Sequence, residues 1–176
     1  MPLIDPNTLP YRSGVGIVLL NAEGRIWIGR RFEDLVSQEY QQRWQMPQGG
    51  IDKGEDPKIA AFRELYEETG VLSASVIAES KNWIQYDLPP EAVGKAMKGK
   101  FRGQEQKWFA MRFMGEEQEI NLSPEGHKPE FDAWRWASAH EVVDEIVGFK
   151  RNAYRTVLEE FRPLLIPLSN CANKRE

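Results

Sequence analysis

Apolar positions along this chain follow two rhythms. Gly14 to Leu20 (GVGIVLL) is an unbroken, β-branched-rich run and predicts a buried strand. Asn21–Gly24 reads as a turn, and Arg25 to Arg30 returns as a second strand. Phe32 to Gln42 is polar and predicts a loop or short turn. From Asp56 the rhythm becomes helical: Ala61 and Leu65 share one face, while Ile59, Phe62 and Tyr66 line another. Asp56 suits an N-cap, Pro57 the first helical position, and Gly70 a left-handed C-cap. Ser75 to Asp87 predicts one or two strands bent around Ser80–Asn82. Pro89 to Gly103 is lysine- and glycine-rich and predicts a mobile excursion with a short helix at Glu91–Met97. Lys107 to Met114 and Phe131 to Ala137 read as strands, with a polar connection over Glu116 to Lys128. Val142, Val143 and Ile146 give Ala139–Val147 helical spacing, and Val157, Leu158 and Phe161 stripe a final amphipathic helix over Asn152–Leu165.

Strands, a helix, more strands and terminal helices predict an α+β (α/β/α) sandwich around a mixed sheet. The expectation is a single domain over residues 1–166 with a disordered tail from 167 to 176. No internal repeat is visible. The 176 residues are enough to bury a real core, and 41% hydrophobic with 28% charged residues is ordinary globular composition. No apolar run approaches a bilayer span, and no signal peptide is recognisable. Cys171, the only cysteine, forms no internal disulfide, which fits a cytoplasmic setting. The net charge of −4 argues against a broad nucleic-acid surface but not against gripping one 5′ end. A local basic cluster (Lys95, Lys98, Lys100, Arg102 and Lys107) suits attraction of a polyphosphate or RNA backbone, though a solvated loop has the same composition.

The candidate chemistry lies between Gly49 and Val71 (GGIDKGEDPKIAAFRELYEETGV). Glu64, Glu67 and Glu68 stand at i, i+3 and i+4 and so share one helix face. An acidic pair on a helix is ordinarily a solvated face. Three carboxylates here repel one another, and a hard divalent cation with oxygen ligands relieves the repulsion. Gly49, Glu55, Arg63, Glu64, Leu65, Glu67, Glu68, Gly70 and Val71, at these spacings, match the signature box of the Nudix hydrolases without departure. The segments WQMPQGG (Trp44–Gly50), ESKNWIQYDLP (Glu79–Pro89), GQEQKWF (Gly103–Phe109), PEFDAWRW (Pro129–Trp136), GFKRNAY (Gly148–Tyr154) and YRSGVGIVL near the start extend the likeness over roughly Tyr11 to Leu165. Together they resemble the bacterial RNA pyrophosphohydrolases and the closely similar dinucleoside polyphosphate hydrolases. Phe32–Trp44 is longer than in the enterobacterial RNA pyrophosphohydrolases, a departure that bears on substrate rather than on chemistry.

The resemblance implies a Nudix fold and hydrolysis of phosphoanhydride bonds with Mg²⁺, for which Mn²⁺ substitutes, two or more ions acting with substrate. It implies metal ligation by Glu64, Glu67, Glu68, the Gly49 carbonyl and Glu130, with Glu64, Glu68, Arg63 and Glu130 as the catalytic set. The general base stays open among Glu64, Glu68 and Glu130. Arg63 is expected to orient a carboxylate, and Glu55 to pair with Arg63 or another cation and hold the loop. Arg12, Arg31, Tyr86, Gln104 and Lys107 fall in segments around the phosphate and nucleotide site. Val147, Phe149 and Lys150 match a base-receiving segment, where Phe149 can stack and Lys150 reach a base edge or phosphate. The partner is then a 5′-triphosphate RNA end, whose conversion to a monophosphate promotes mRNA decay, or a dinucleoside polyphosphate split into ATP and AMP. Neither membrane nor DNA is an expected partner. An inactive Nudix nucleotide-binding module would show loss of a box glutamate, and none is lost.

Overall fold

The computed structural model of the protein describes residues 5–32 and 42–169. Its centre is a parallel pair, β1 (Tyr11–Leu20) and β7 (Gly103–Phe113), in register from Tyr11 opposite Gly103 to Leu20 opposite Arg112. Antiparallel partners extend the sheet: β2 (Ile26–Arg31) on β1, β3 (Trp44–Gln45) and β8 (Phe131–Ala137) on β2, β4 (Gln48–Gly50) on β1, and β5 (Ala74–Glu79) and β6 (Ile84–Asp87) on β7.

Both faces of this mixed sheet are covered, which is why β1 reads as a continuous apolar run rather than an alternation. Val15, Ile17 and Leu19 join Ala60, Ala61 and Leu65 of helix α1 (Pro57–Thr69) in one core. Val18 and Leu20 join the other core, with Val142 of α2 (Ala139–Glu145) and Ala153, Tyr154, Val157 and Leu158 of α3 (Arg151–Glu160). The α/β/α sandwich expected from the element order is therefore present. Among the described residues no helix is long and apolar enough to cross a membrane.

The differences from expectation have local causes. Residues 33–41 of the polar Phe32–Gln42 segment lie outside the described residues. Strand β7 begins at Gly103, four positions before the apolar run at Lys107, because its polar start is paired to β1 and β6 and buries Gln104 and Gln106. The helix expected at Glu91–Met97 is replaced by turns and a 3₁₀ segment at Ala96–Gly99, in which Met97 and Lys98 are left-handed. Ile146 turns extended and ends α2, while Pro163 confines the end of α3 to a 3₁₀ turn, Arg162–Leu164. Of the expected tail, residues 167–169 are described, and there the Leu168 amide donates to the Ala22 carbonyl at 2.8 Å.

Candidate active site

Helix α1 begins as its composition dictates. The Asp56 carboxylate accepts from the Lys58 and Ile59 amides, Pro57 opens the first turn, and Gly70 closes the helix at φ 71°. Its buried face docks Leu65 on the sheet, and this fixes the rotation of Arg63, Glu64, Glu67 and Glu68. Arg63 is the hub of the loop in front. It donates to both Glu55 oxygens at 2.7 and 2.8 Å, to Glu64 at 2.8 Å, to Glu67 at 3.5 Å and to the Gly50 carbonyl at 2.8 Å. The bidentate pairing holds the Glu55 carboxyl down at about 2.

Two glycines make the floor. A Cβ on Gly49 would stand 1.9 Å from the Glu64 carboxyl carbon, and one on Gly50 would stand 2.2 Å from the Arg12 guanidinium. The bare backbone is thus what lets a carboxylate and an arginine approach from opposite sides. Behind them lies Glu68, 3% exposed, with one oxygen accepting from the Gln48 amide at 3.0 Å. Its other oxygen is buried with no hydrogen-bond partner among the described residues. Burial, reinforced by Glu130 and Glu64, pushes the Glu68 carboxyl well up. Burial also raises Glu64, against the pull of Arg63.

These groups open onto a cavity of about 640 Å³. Gly49, Glu64, Glu67 and Glu130 line it together with Arg12, Arg31, Tyr86, Gln104, Val147, Phe149 and Lys150. Arg31 brings a buried Nε with no partner among the described residues. Tyr86 and Phe149 meet with ring centroids 5.8 Å apart, and the Lys150 ammonium nitrogen lies 5.4 Å from the Tyr86 ring centre. Burial, aided by Arg31, lowers the Lys150 amine to about 7, although Glu68 and Glu130 pull the other way. Glu68 sits behind the lining, and Arg63 and Glu55 act through the loop. Lys107 is not among the residues that line the cavity: its ammonium is engaged by the Ser80 carbonyl, between β5 and β6. The sequence reading also did not reach Gln48, Trp44 or the apolar wall of Leu88, Ala92, Ala96 and Met97. Prolines and glycines mark 89–103 as a loop, but nothing local says that it folds over the cavity.

The donor set suits a divalent cation. All side-chain donors are carboxylates, Glu130 and Glu64 help to raise Glu68, and Glu68, the most buried, has an oxygen with no partner among the described residues. Among the described residues they are not drawn into a closed cage. Glu64 and Glu67 are turned toward Arg63 and Glu68 toward Gln48.

Known proteins resemble the chain along nearly its whole length. The sequence profile of the NUDIX domain matches residues 10–158. A Brucella ovis protein named RNA pyrophosphohydrolase is 53% identical over 167 residues, covering 92% of this chain and 93% of that protein. A Rhizobium meliloti protein of the same name is 53% identical over 162 residues, covering 89% and 96%. Among solved structures, the E. coli dihydroneopterin triphosphate pyrophosphohydrolase superposes with a TM-score of 0.62 at 18% identity, covering 86% of this chain and 99% of the other. A C. elegans Ap4A hydrolase binary complex gives 0.57 at 16%, covering 86% and 98%. At those identities the structural likeness speaks for the fold alone.

Proposed function

The chain belongs to the Nudix hydrolase family, and from that membership we propose that it hydrolyses the 5′-triphosphate end of RNA to a 5′-monophosphate. Water adds across a phosphoanhydride bond and pyrophosphate, or phosphates in succession, leaves. The observation that carries this reading is one cavity lined both by the carboxylates Glu64, Glu67 and Glu130 and by Tyr86, Phe149 and Lys150. The relatives named RNA pyrophosphohydrolase support it. On this reading the enzyme acts in the cytoplasm and begins the decay of transcripts.

The Gly49 carbonyl, Glu64, Glu67, Glu68 and Glu130 would hold Mg²⁺, more than one ion with substrate, and Mn²⁺ would serve in its place. When bound, such ions supply charge neutralisation on the phosphates and a more acidic water. The chain's own groups do the rest. Arg12, braced on Gly50, and Arg31, with its unpaired Nε, bind phosphate oxygens and set the direction of the polyphosphate. Gln48 and Gln104 lie beside the Tyr86 hydroxyl, and Phe149 offers its ring to a base. Arg63 fixes Glu64, and through Glu55 it fixes the loop that carries Gly49 and Gly50. Glu130 is the base we favour for the attacking water, because it is exposed in the cavity. Glu64 is clamped by Arg63, and Glu68 is buried behind Gln48.

The test compares purified protein with Mg²⁺ on a short 5′-triphosphate RNA and on diadenosine tetraphosphate by kcat/KM. Preference for the RNA, with pyrophosphate or successive phosphates released, supports the proposal. Preference for the dinucleotide, with ATP and AMP as products, replaces it with the dinucleoside polyphosphate reading and assigns Phe149 and Lys150 to adenosine.

A further inference from the structure

The apolar residues Leu88, Ala92, Ala96 and Met97 line the cavity beside the residues already described, and their backbone is unusual. Within the excursion between β6 and β7, Met97 and Lys98 are consecutive non-glycine residues in the left-handed region, at φ 51° and 59°. Side chains other than Gly, Asn and Asp adopt that region at a cost. Gly94 and Gly99 are left-handed as well, and a Cβ on Gly99 would stand 2.6 Å from the Gly94 carbonyl oxygen, so the turn is closed tightly. Its root is clasped. Asp87 accepts from the Tyr11 hydroxyl and from Arg102 at 2.9 Å each, Arg102 lies 5.0 Å from the Tyr11 ring centre, and the Leu88 amide donates to the Arg102 carbonyl at 2.8 Å. Of the two left-handed residues it is Met97 that lines the cavity, with Leu88, Ala92 and Ala96, and Val147 and Phe149 line the same cavity. Strain retained at a cavity wall points to a task for the side chain it positions.

We propose that Leu88–Met97 is the second jaw of the nucleobase slot, and that Met97 is a specificity-determining residue contacting the base on the face away from Phe149. The inference rests on the phosphoanhydride-hydrolase reading of the cavity, but not on which nucleotide substrate is preferred. A thioether is polarizable and adapts to a flat ring, so the contact grades bases by stacking surface rather than by hydrogen bonds.

The test is Met97→Asn, which keeps a residue suited to left-handed backbone while removing the apolar contact, beside Met97→Leu, which keeps apolar contact. Calorimetric affinity is measured for ATP and for inorganic tripolyphosphate, which has the phosphates and no base. The same variants are assayed for kcat/KM on 5′-triphosphate RNA and on diadenosine tetraphosphate. Met97→Asn is expected to weaken ATP about tenfold more than tripolyphosphate, with KM rather than kcat carrying the loss on whichever nucleotide the enzyme cleaves, and Met97→Leu to recover most of it. Equal weakening of ATP and tripolyphosphate, or no weakening of either, overturns the proposal. A wild-type preference for the dinucleotide overturns the RNA reading while leaving the jaw to be judged on ATP. If Met97→Asn lowers the melting temperature by several degrees and Met97→Leu fails to restore ATP binding, Met97 is a structural residue and the proposal falls.

Discussion

Glu68 accepts the Gln48 amide through one oxygen and buries the other unpartnered, within the fields of Glu130 and Glu64. Its folded pKa lies above the ordinary 4.5, so the folded state keeps a proton that the unfolded chain has given up. Stability from this site is therefore lost as pH rises above 4.5. Glu68→Gln should raise the melting temperature at pH 7 without divalent ion, the gain vanishing below pH 4, and should abolish hydrolysis with Mg²⁺. Unchanged turnover would remove Glu68 from the site. Lys150 bears the opposite sign. Its amine falls from 10.5 to about 7, so the unfolded chain binds the proton more tightly. Stability rises with pH between those values, and the penalty is complete below about 7. Lys150→Met should stabilise the protein at pH 6 by on the order of a few kcal/mol, flatten the alkaline limb of the stability curve, and raise KM. Denaturant unfolding at pH 6 and 10 measures both. The carboxylate spacing was plain in the sequence because i, i+3 and i+4 leave no choice of face. The burial of Lys150 was not, since a lysine in GFKRNAY reads as solvated until β6 and the turn before α3 close over it.

Helix α1 was legible from end to end. Asp56, Pro57 and Gly70 act through bonds to their own neighbours, and such local chemistry survives any tertiary arrangement. Strand β4 was not, because three residues of Gln-Gly-Gly carry no periodicity and exist as a strand only through β1. Its glycines nevertheless determine the site. Gly49→Ala should displace the Glu64 carboxyl and lower kcat/KM by about a hundredfold or more, while circular dichroism keeps its native shape. An active Gly49→Ala enzyme would show that Glu64 does not need the floor on which it rests. The excursion before β7 was misread as partly helical for a similar reason: Ala92 and Ala96 have good propensity, but Gly94 and the clasp at Asp87 and Arg102 overrule it.

Sheet order is the least legible property, since nothing in YRSGVGIVLL names GQEQKWFAMRF as its parallel neighbour. What could be read was that Gly14–Leu20 is a buried strand and Lys107–Met114 a strand, and that the order of strands and helices makes a sandwich around a mixed sheet. Leu65 joins one of the two helical layers to the sheet at 0% exposure, so Leu65→Ala should cost roughly 2–5 kcal/mol by denaturant titration. The two layers also meet on the segment from Trp44 to Gly50. At Met46 the amide donates to the Tyr154 hydroxyl of α3 at 3.2 Å, and at Gln48 the amide donates to Glu68 of α1 at 3.0 Å. Two residues of extended chain therefore set the offset between α3, which follows Phe149 and Lys150, and α1, which carries Glu64, Glu67 and Glu68. A span that short has little slack, so a shift of α3 is passed to Glu68 through the backbone of one short segment.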